Sequence, residues 1–476
     1  MAQYVLAQAA RLGGKPALEI VGGEARDLWS YAQLYARVTR CAGGLLESGL
    51  RQGDRVLFRL GNSADFPVAY LACLWAGLVP VPVSAQLTEA EVTEIARQTE
   101  PAAILHHAGL SLPNPCPCPV LDALPDAAPV AAEMGDANRL GYIVFTSGTS
   151  GRPRGVCHAH RAIWARRMMW DGWYGLREDD RVMHAGAFNW TYTLGTGLMD
   201  PWSVGATALI PAQGVGSEAL AGLCATHKAS IFAAAPGVYR QILKSPLPAL
   251  PSLRHGLSAG EAMPPALRER WQSATGTDVH EALGMSECST FISGSPARPA
   301  GPGTSGRPQP GRRVAVLQDG APVPAGTPGL LAIGTDDPGL MLGYLDAPPP
   351  SSAWFVTGDT VSMAASGEVT YLGRDDDMMN AGGYRVSPLE VEAAFAPLLP
   401  DCAAAAVEIK PDTFVIALFY AATDAADEAP LRTHAQRLLA RYKQPRLYIR
   451  RDTLPKGGNG KLNRRLLRDT FEGPKT

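Results

Sequence analysis

Seven short apolar runs, spaced by stretches of helical character, constrain this chain more than any other feature. RVLFRL (55–60), VPVPV (79–83), AAILHH (102–107), YIVFT (142–146), TALIPA (207–212), SIFAAA (230–235) and HGLSAG (255–260) each have the length of one strand. Segments such as SEALAGLCATH (217–227) supply helices between several of them. The alternation predicts an α/β fold. The longest apolar run, FPVAYLACLWAGLVPVPV (66–83), nears the length that spans a bilayer, but Gly77, Pro80 and Pro82 interrupt it. It reads as a buried helix ending near Gly77, with Ser63 able to cap it, followed by a buried strand.

A chain of 476 residues exceeds one ordinary core, so two or more domains are expected. After about residue 312 the rhythm gives way to short strands and turns, RRVAVLQDG, GLLAIG and GEVTYLG, which predict a β-rich subdomain. RDDDMMNAGGYRVSPLEVEAAF (374–395) then joins three acids, a glycine pair and a new helix. Ser387 is placed to cap that helix, Pro388 to open it, and Glu390 falls three residues after the cap. The expected architecture is therefore α/β: a large N-terminal domain of mixed sheets with packed helices and a β-rich subdomain over 1–375, then a small mobile α+β domain over 376–476.

Lysine plus arginine number 43 against 45 aspartates and glutamates, a net charge of −2 that excludes a broad field for nucleic acid or an anionic membrane. The eight cysteines show no paired CxxC spacing. The one close pair, Cys116 and Cys118, sits in a proline-rich segment (111–130) that, like 295–312, reads as a surface connection and not a metal site. The start of the chain carries no secretory signature, so the cytoplasm is the expected compartment.

The candidate chemistry begins at TSGTSGRPRG (146–155). Thr146, Ser147, Gly148, Thr149, Ser150, Gly151 and Arg154 follow a strand and form a segment suited to wrapping an anion. Glycines let backbone amides approach closely, and the hydroxyls add donors for phosphate oxygens. The GxxxxGK[ST] spacing is absent. Taken alone, the loop equally fits a solvent-exposed turn.

Further motifs follow in order: SAGE (258–261), LGMSE (283–287), TGD (357–359), GRDDDMMNAGGYRVSPLEVE (373–392) and LPKGGNGKLNRR (454–465). With the loop, this set resembles the adenylate-forming superfamily of acyl-CoA synthetases, nonribosomal peptide synthetase adenylation domains and luciferases, over nearly the whole chain. The resemblance implies that the loop covers the β and γ phosphates of ATP, with Arg154 standing where the family usually carries lysine. It places Gly260 and Glu261 on a strand-end turn near the nucleotide and Leu283 and Gly284 in the adenine motif. It also places Ser286 on phosphate and Glu287 on Mg²⁺. Asp359 and Arg374 would contact ribose, Asp376 would be the hinge, Gly383 and Arg385 would lie on the hairpin lining the pantetheine tunnel, and Lys461 would be the catalytic lysine. One at a time, Asp359, Glu287 and Lys461 read as a turn acid, a surface acid and a solvated lysine; their joint order carries the assignment. His158 and His160 have no evident acid or cysteine partner and read as ordinary polar residues. The acids 375–377 read as a hinge and not as a metal site.

Within AFNWTYTLGTGLMDPWSVGATALI (187–210), Asn189 follows Phe188 where amino-acid-activating relatives place an aspartate for the substrate ammonium. Its neutrality points to an uncharged acyl group. This stretch and SIFAAAPGVY (230–239) look most like the benzoate-CoA ligase branch. Trp190, Tyr192, Ala233, Ala234, Ala235 and Gly284 are the candidate pocket residues, although core packing fits Trp190 and Tyr192 almost as well. The implied activity is ATP-dependent ligation of a carboxylic acid, aromatic or compact and apolar, to coenzyme A. The implied small molecules are the acid, ATP, Mg²⁺ and CoA, with neither nucleic acid nor membrane as partner and a homodimer left open. Two alternatives stay open: an adenylating enzyme that loads a carrier-protein phosphopantetheine, and a silent AMP-binding regulator.

Overall fold

The computed structural model describes residues 1–23, 27–146, 153–381, 384–410, 413–456 and 462–471, without the side chains at 376, 380, 381, 384, 385, 410 and 413. Contacts divide the chain into two compact units, residues 1–313 with 334–355, and residues 314–333 with 356–476.

The first unit is built on a nine-stranded sheet. Its strands lie in the order Arg307–Pro308, Ser289–Ser293, Val279–Met285, His255–Ala259, Ile231–Ala234, Arg181–His184, Thr207–Pro211, Pro16–Val21 and Asp27–Ser30. The central pairings are parallel and the outer ones antiparallel. Central strands such as Ile231–Ala234 and His255–Ala259 are buried throughout, which is why they read as continuous apolar runs and not as alternation. Successive residues nonetheless point to opposite faces. Val182, Ile231, Ala233 and Leu257 join one buried cluster with Trp173 and Tyr192. Met183, Phe232 and Ala234 join another with Tyr239 and Trp271.

A four-stranded parallel sheet runs Val79–Pro82, Arg55–Arg59, Ala103–His106, Val120–Leu121. Val79–Pro82 is an edge strand, where Pro80 and Pro82 sacrifice no central ladder bond. The apolar run before it forms the buried helix Asp65–Trp75, and the chain then turns through Gly77 at φ +75°. Ser63 does not cap that helix: the N-cap is Ala64, and the Ser63 hydroxyl is buried without a partner. Among the described residues no helix is long and apolar enough to cross a membrane. A three-stranded antiparallel sheet, Gly343–Tyr344, Arg154–Ala159 and Leu140–Thr146, completes this unit's sheets.

The second unit opens with the expected β-rich segment, a five-stranded sheet ordered Ala321–Pro322, Val314–Gln318, Pro328–Gly334, Trp354–Met363, Val369–Arg374. Contacts group most of that segment with the C-terminal residues. The hairpin Met379–Ala381 with Tyr384–Val386 follows. Then comes a three-stranded sheet of Cys402–Lys410, Thr413–Ala421 and Leu447–Arg451. Helices Pro388–Phe395 and Glu428–Leu438 cover one of its faces through Val391, Phe395, Leu431 and Ala435. Leu467 of helix Arg464–Asp469 covers the other. Ser387 caps Pro388–Phe395 as its sequence predicts, accepting the Glu390 N–H at 3.4 Å.

Five histidines of the first unit are held low by burial: His158 and His280 at about 4, and His160, His184 and His255 at about 3. Each stays neutral in the fold, while its unfolded counterpart gains a proton as pH drops below about 6.5. Stability is thus complete above that pH and is lost as pH falls toward 4. Melting temperature measured from pH 7.5 to 4.5 should decline from near pH 6.5, and His184→Leu should make the decline shallower. A melting temperature that holds constant to pH 4.5 would refute the neutral assignment.

Candidate active site

Strands Leu140–Thr146 and Arg154–Ala159 pair in antiparallel register, setting Thr146 opposite Arg154 at the two stems of the glycine-rich loop. Ser147, Gly148, Thr149, Ser150 and Gly151 lie outside the described residues. Strand Gly343–Tyr344 flanks the second stem, pairing Tyr344 with Val156. The Arg154 guanidinium lies on the Tyr344 ring, 3.4 Å from its centroid. At the other end of the same side chain, the Tyr344 hydroxyl donates to Glu287 Oε1 at 2.8 Å.

Glu287 and Ser286 occupy the turn between Val279–Met285 and Ser289–Ser293. The Glu287 carbonyl accepts the Met341 N–H at 2.8 Å. The Ser286 carbonyl accepts from His158 Nε2 at 2.7 Å. His158 is 1% exposed and stacks on Tyr142 with ring centroids 4.8 Å apart. Because burial keeps this imidazole neutral, its single proton sits on Nε2, the nitrogen facing a carbonyl that can only accept. His158 is therefore a buried support for the Ser286 turn and not an ordinary polar residue, and His160 is buried as well.

Two buried ion pairs fix the same turn from below. Arg312 Nε meets Asp337 Oδ2 at 3.0 Å with both side chains fully buried. The remaining Arg312 nitrogens donate to the carbonyls of Cys288 and Thr290, while Asp337 accepts the Arg313 and Gly339 N–H groups. Arg166 grips Asp200 through Nε at 2.8 Å and through Nη2, and its Nη1 donates to the Ser289 hydroxyl at 2.9 Å. The Tyr174 hydroxyl donates to Asp200 at 2.8 Å. This second pair lies against two π-helical turns, Trp170–Tyr174 and Gly195–Met199, a wound-out geometry often found beside functional sites. Arg312, Asp337, Arg166 and Asp200 escaped the sequence analysis because partners 25 and 34 positions apart carry no local pattern. Tyr344 escaped because nothing local marks the aromatic of GYLDAPPP as a neighbour of LGMSE.

The other motif residues of this unit lie along the strand ends. Gly260 takes φ +98° at the end of His255–Ala259, and Glu261 after it is exposed. Half-buried Leu283 pairs with Ile292, and a register shift follows at Gly284. A Cβ on Gly284 would stand 2.6 Å from the Ser289 carbonyl oxygen and 2.7 Å from Thr290 Cα, so only glycine lets the strands cross there.

Of the proposed pocket residues, Tyr192 is buried against Trp173 and His184, and its hydroxyl donates to the Leu257 carbonyl at 3.2 Å. Trp190 is 37% exposed. The three alanines do not form one wall: Ala233 and Ala234 face opposite sides of the sheet, and Ala235 is the N-cap of helix Pro236–Ile242. Strand alternation forbids neighbouring residues from lining a single cavity, a constraint that the run AAA conceals.

In the second unit Asp359 and Arg374 sit opposite each other in register and form an ion pair at 3.3 Å. The Tyr371 hydroxyl also donates to the Asp359 carboxylate at 3.3 Å. Burial nevertheless pushes Asp359 above the usual carboxylate range. Asp375 accepts from the Thr360 hydroxyl, whereas Asp377 pairs with Arg464 and Arg468, so these neighbouring acids serve different partners. Lys461 and Gly383 lie outside the described residues, as do the side chains of Asp376 and Arg385.

The chain is similar to known proteins over most of its length. The AMP-binding enzyme family matches residues 5–345. A benzoate–CoA ligase of Thauera aromatica is 31% identical over 92% of this chain and 90% of its own. A 3-hydroxybenzoate–CoA ligase of an Aromatoleum species is 28% identical over 97% of this chain and 94% of its own. Among solved structures, a benzoate CoA ligase from Burkholderia xenovorans superposes with a TM-score of 0.85 at 27% identity, covering 98% of this chain and 99% of that one. An anthranilate CoA ligase in complex with anthranoyl-AMP gives 0.87 at 25% identity, covering 98% and 96%.

Removing one member of a buried, fully hydrogen-bonded pair strands the other charge, a loss of roughly 3–5 kcal/mol. Asp337→Ala should therefore lower stability by about that amount in a urea titration, whereas the exposed Asp336→Ala should change it by less than about 1 kcal/mol. Equal effects from the two substitutions would show that Asp337 does not carry the turn.

Proposed function

The chain belongs to the AMP-binding enzyme family, and from that premise we propose that it is an ATP-dependent ligase joining an aromatic carboxylic acid to coenzyme A. One observation of the fold carries most weight: a single three-stranded sheet presents Thr146 and Arg154, the stems of an anion-binding loop, beside the Glu287 turn. A cationic donor for phosphate thus shares the Tyr344 side chain with a carboxylate suited to a divalent ion. The names of the relatives, ligases for benzoate, 3-hydroxybenzoate and anthranilate, support an aromatic acid and free CoA as acceptor. Neutral Asn189 after Phe188 supports an acid without an α-ammonium group.

A carboxylate acylates poorly because its leaving group would be oxide. Attack of one carboxylate oxygen on the α-phosphorus of ATP breaks the bond to the β-phosphate oxygen, giving an acyl-adenylate and pyrophosphate. Two anions must meet in line, so positive charge and placement dominate the barrier. In our reading the 146–151 loop and Arg154 hold the departing phosphates, and Ser286 donates to phosphate. Gly260, Glu261, Leu283 and Gly284 border the adenine, Asp359 and Arg374 hold the ribose, and Lys461 bridges the substrate carboxylate and α-phosphate. Glu287, a carboxylate oxygen donor of the kind Mg²⁺ prefers, would hold that ion near the phosphates. When bound, that ion offsets phosphate charge. In the second step the CoA thiolate attacks the acyl carbon, the thioester forms and AMP leaves with the bonding electrons. The two steps need different donors, so the small domain turns about Asp376, replacing the Lys461 loop with the hairpin of Gly383 and Arg385. Trp190, Tyr192 and Ala233 border the acyl site in this scheme.

Pyrophosphate release over a panel of acids, with and without CoA, tests the activity. Benzoate-like acids should give release, and with CoA an acyl-CoA thioester. Release that never yields a thioester would overturn the ligase assignment, and no release with any acid would favour a silent nucleotide binder. Lys461→Ala should slow adenylation by about 100-fold or more while supplied acyl-adenylate is still converted to thioester at close to the original rate. Equal losses in both steps would overturn the division between the two loops.

A further inference from the structure

Arg154 and Glu287 contact the two ends of one side chain. The guanidinium covers the face of Tyr344 at 3.4 Å, and the carboxylate accepts the tyrosine hydroxyl at 2.8 Å. An arginine and a glutamate that share a neighbour are candidates for a two-pronged ion pair, yet Arg154 forms none with Glu287 among the described residues. The half-buried tyrosine engages both, the guanidinium on its face and the carboxylate at its hydroxyl.

Resting on the reading of this site as an ATP site, we propose that Tyr344 is a positioning residue that keeps the Arg154 cation and the Glu287 carboxylate from neutralising each other, so that one serves phosphate and the other the metal ion. The placement of Tyr344 supports this division. Its backbone is fixed by pairing with Val156, and the next residue donates its N–H to the Gly155 carbonyl at 2.8 Å, so the ring has little freedom to leave. The hydroxyl occupies one lone-pair direction of Glu287 Oε1 and restricts the carboxylate's rotation. A planar guanidinium also stacks on an aromatic face better than a compact ammonium does, which gives arginine a physical advantage at position 154. Ring and hydroxyl therefore have separable duties.

Calorimetric titration of ATP into the full chain, with and without Mg²⁺, separates them. Tyr344→Phe keeps the ring and should leave metal-free ATP binding within about two-fold of the unsubstituted protein, while weakening Mg²⁺-dependent ATP binding by about ten-fold. Tyr344→Leu removes both contacts and should weaken ATP binding in both series. Glu287→Gln should reproduce the Tyr344→Phe loss, and the double substitution should add little to either single one, because both act through one contact. Independent, additive losses would overturn the proposal, as would a Tyr344→Phe protein matching the unsubstituted one in both series. An unsubstituted protein that binds no ATP under either condition would instead overturn the ATP-site reading itself. Melting temperatures of all variants within a few degrees of one another identify the losses as local; a Tyr344→Phe protein whose binding loss only tracks a lowered melting temperature would count against positioning.

Discussion

A guanidinium and a carboxylate sealed away from water hold the turn on which the proposed chemistry converges. Taking Arg312 and Asp337 out of solvent is costly, and their mutual attraction offsets that cost only when every remaining donor and acceptor is also met. Here the arginine serves two carbonyls on either side of Ser289 and the aspartate serves two backbone amides. The pair thereby ties residues 288–290 to residues 337–339. Those segments in turn bring Glu287 beneath Tyr344. Without that clamp, the antiparallel turn would be one more exposed connection at a sheet edge.

The surrounding polar groups follow the same logic at smaller scale. Neutral His158 holds the Ser286 carbonyl with its one proton, a role that a charged imidazole could not keep at this depth. Arg166 reaches Ser289 while neutralised by Asp200. These side chains do not belong to the motifs that mark the family. They place backbone, and the motif residues act from that placement.

The sequence motifs were legible because they are local. A glycine-rich loop, a capped helix at Ser387 and apolar runs of strand length all express constraints acting within a few residues. Contacts between distant segments leave no such local trace. Ser63 has the composition of a cap but not its geometry, and of the consecutive pocket candidates Ala233 and Ala234 the pleat sends each to a different face. The β-rich segment is legible in its short strands and turns, whereas the residues it groups with are not written in its own alternation. His158 looked idle for want of an acid or cysteine nearby; its partner is a backbone carbonyl 128 positions away, which has no signature in any sequence.

Sequence alone determined the class of fold and the order of the motifs, since strand length, glycine content and hydroxyl-rich loops are properties of short windows; the chemistry came through their resemblance to the adenylate-forming superfamily. Tertiary structure decided which groups meet. Only folding brings Tyr344 against both Arg154 and Glu287, and only folding buries Arg312 against Asp337. Both depend on pairings between distant segments whose free energy comes from excluding water, and no window of residues contains that quantity.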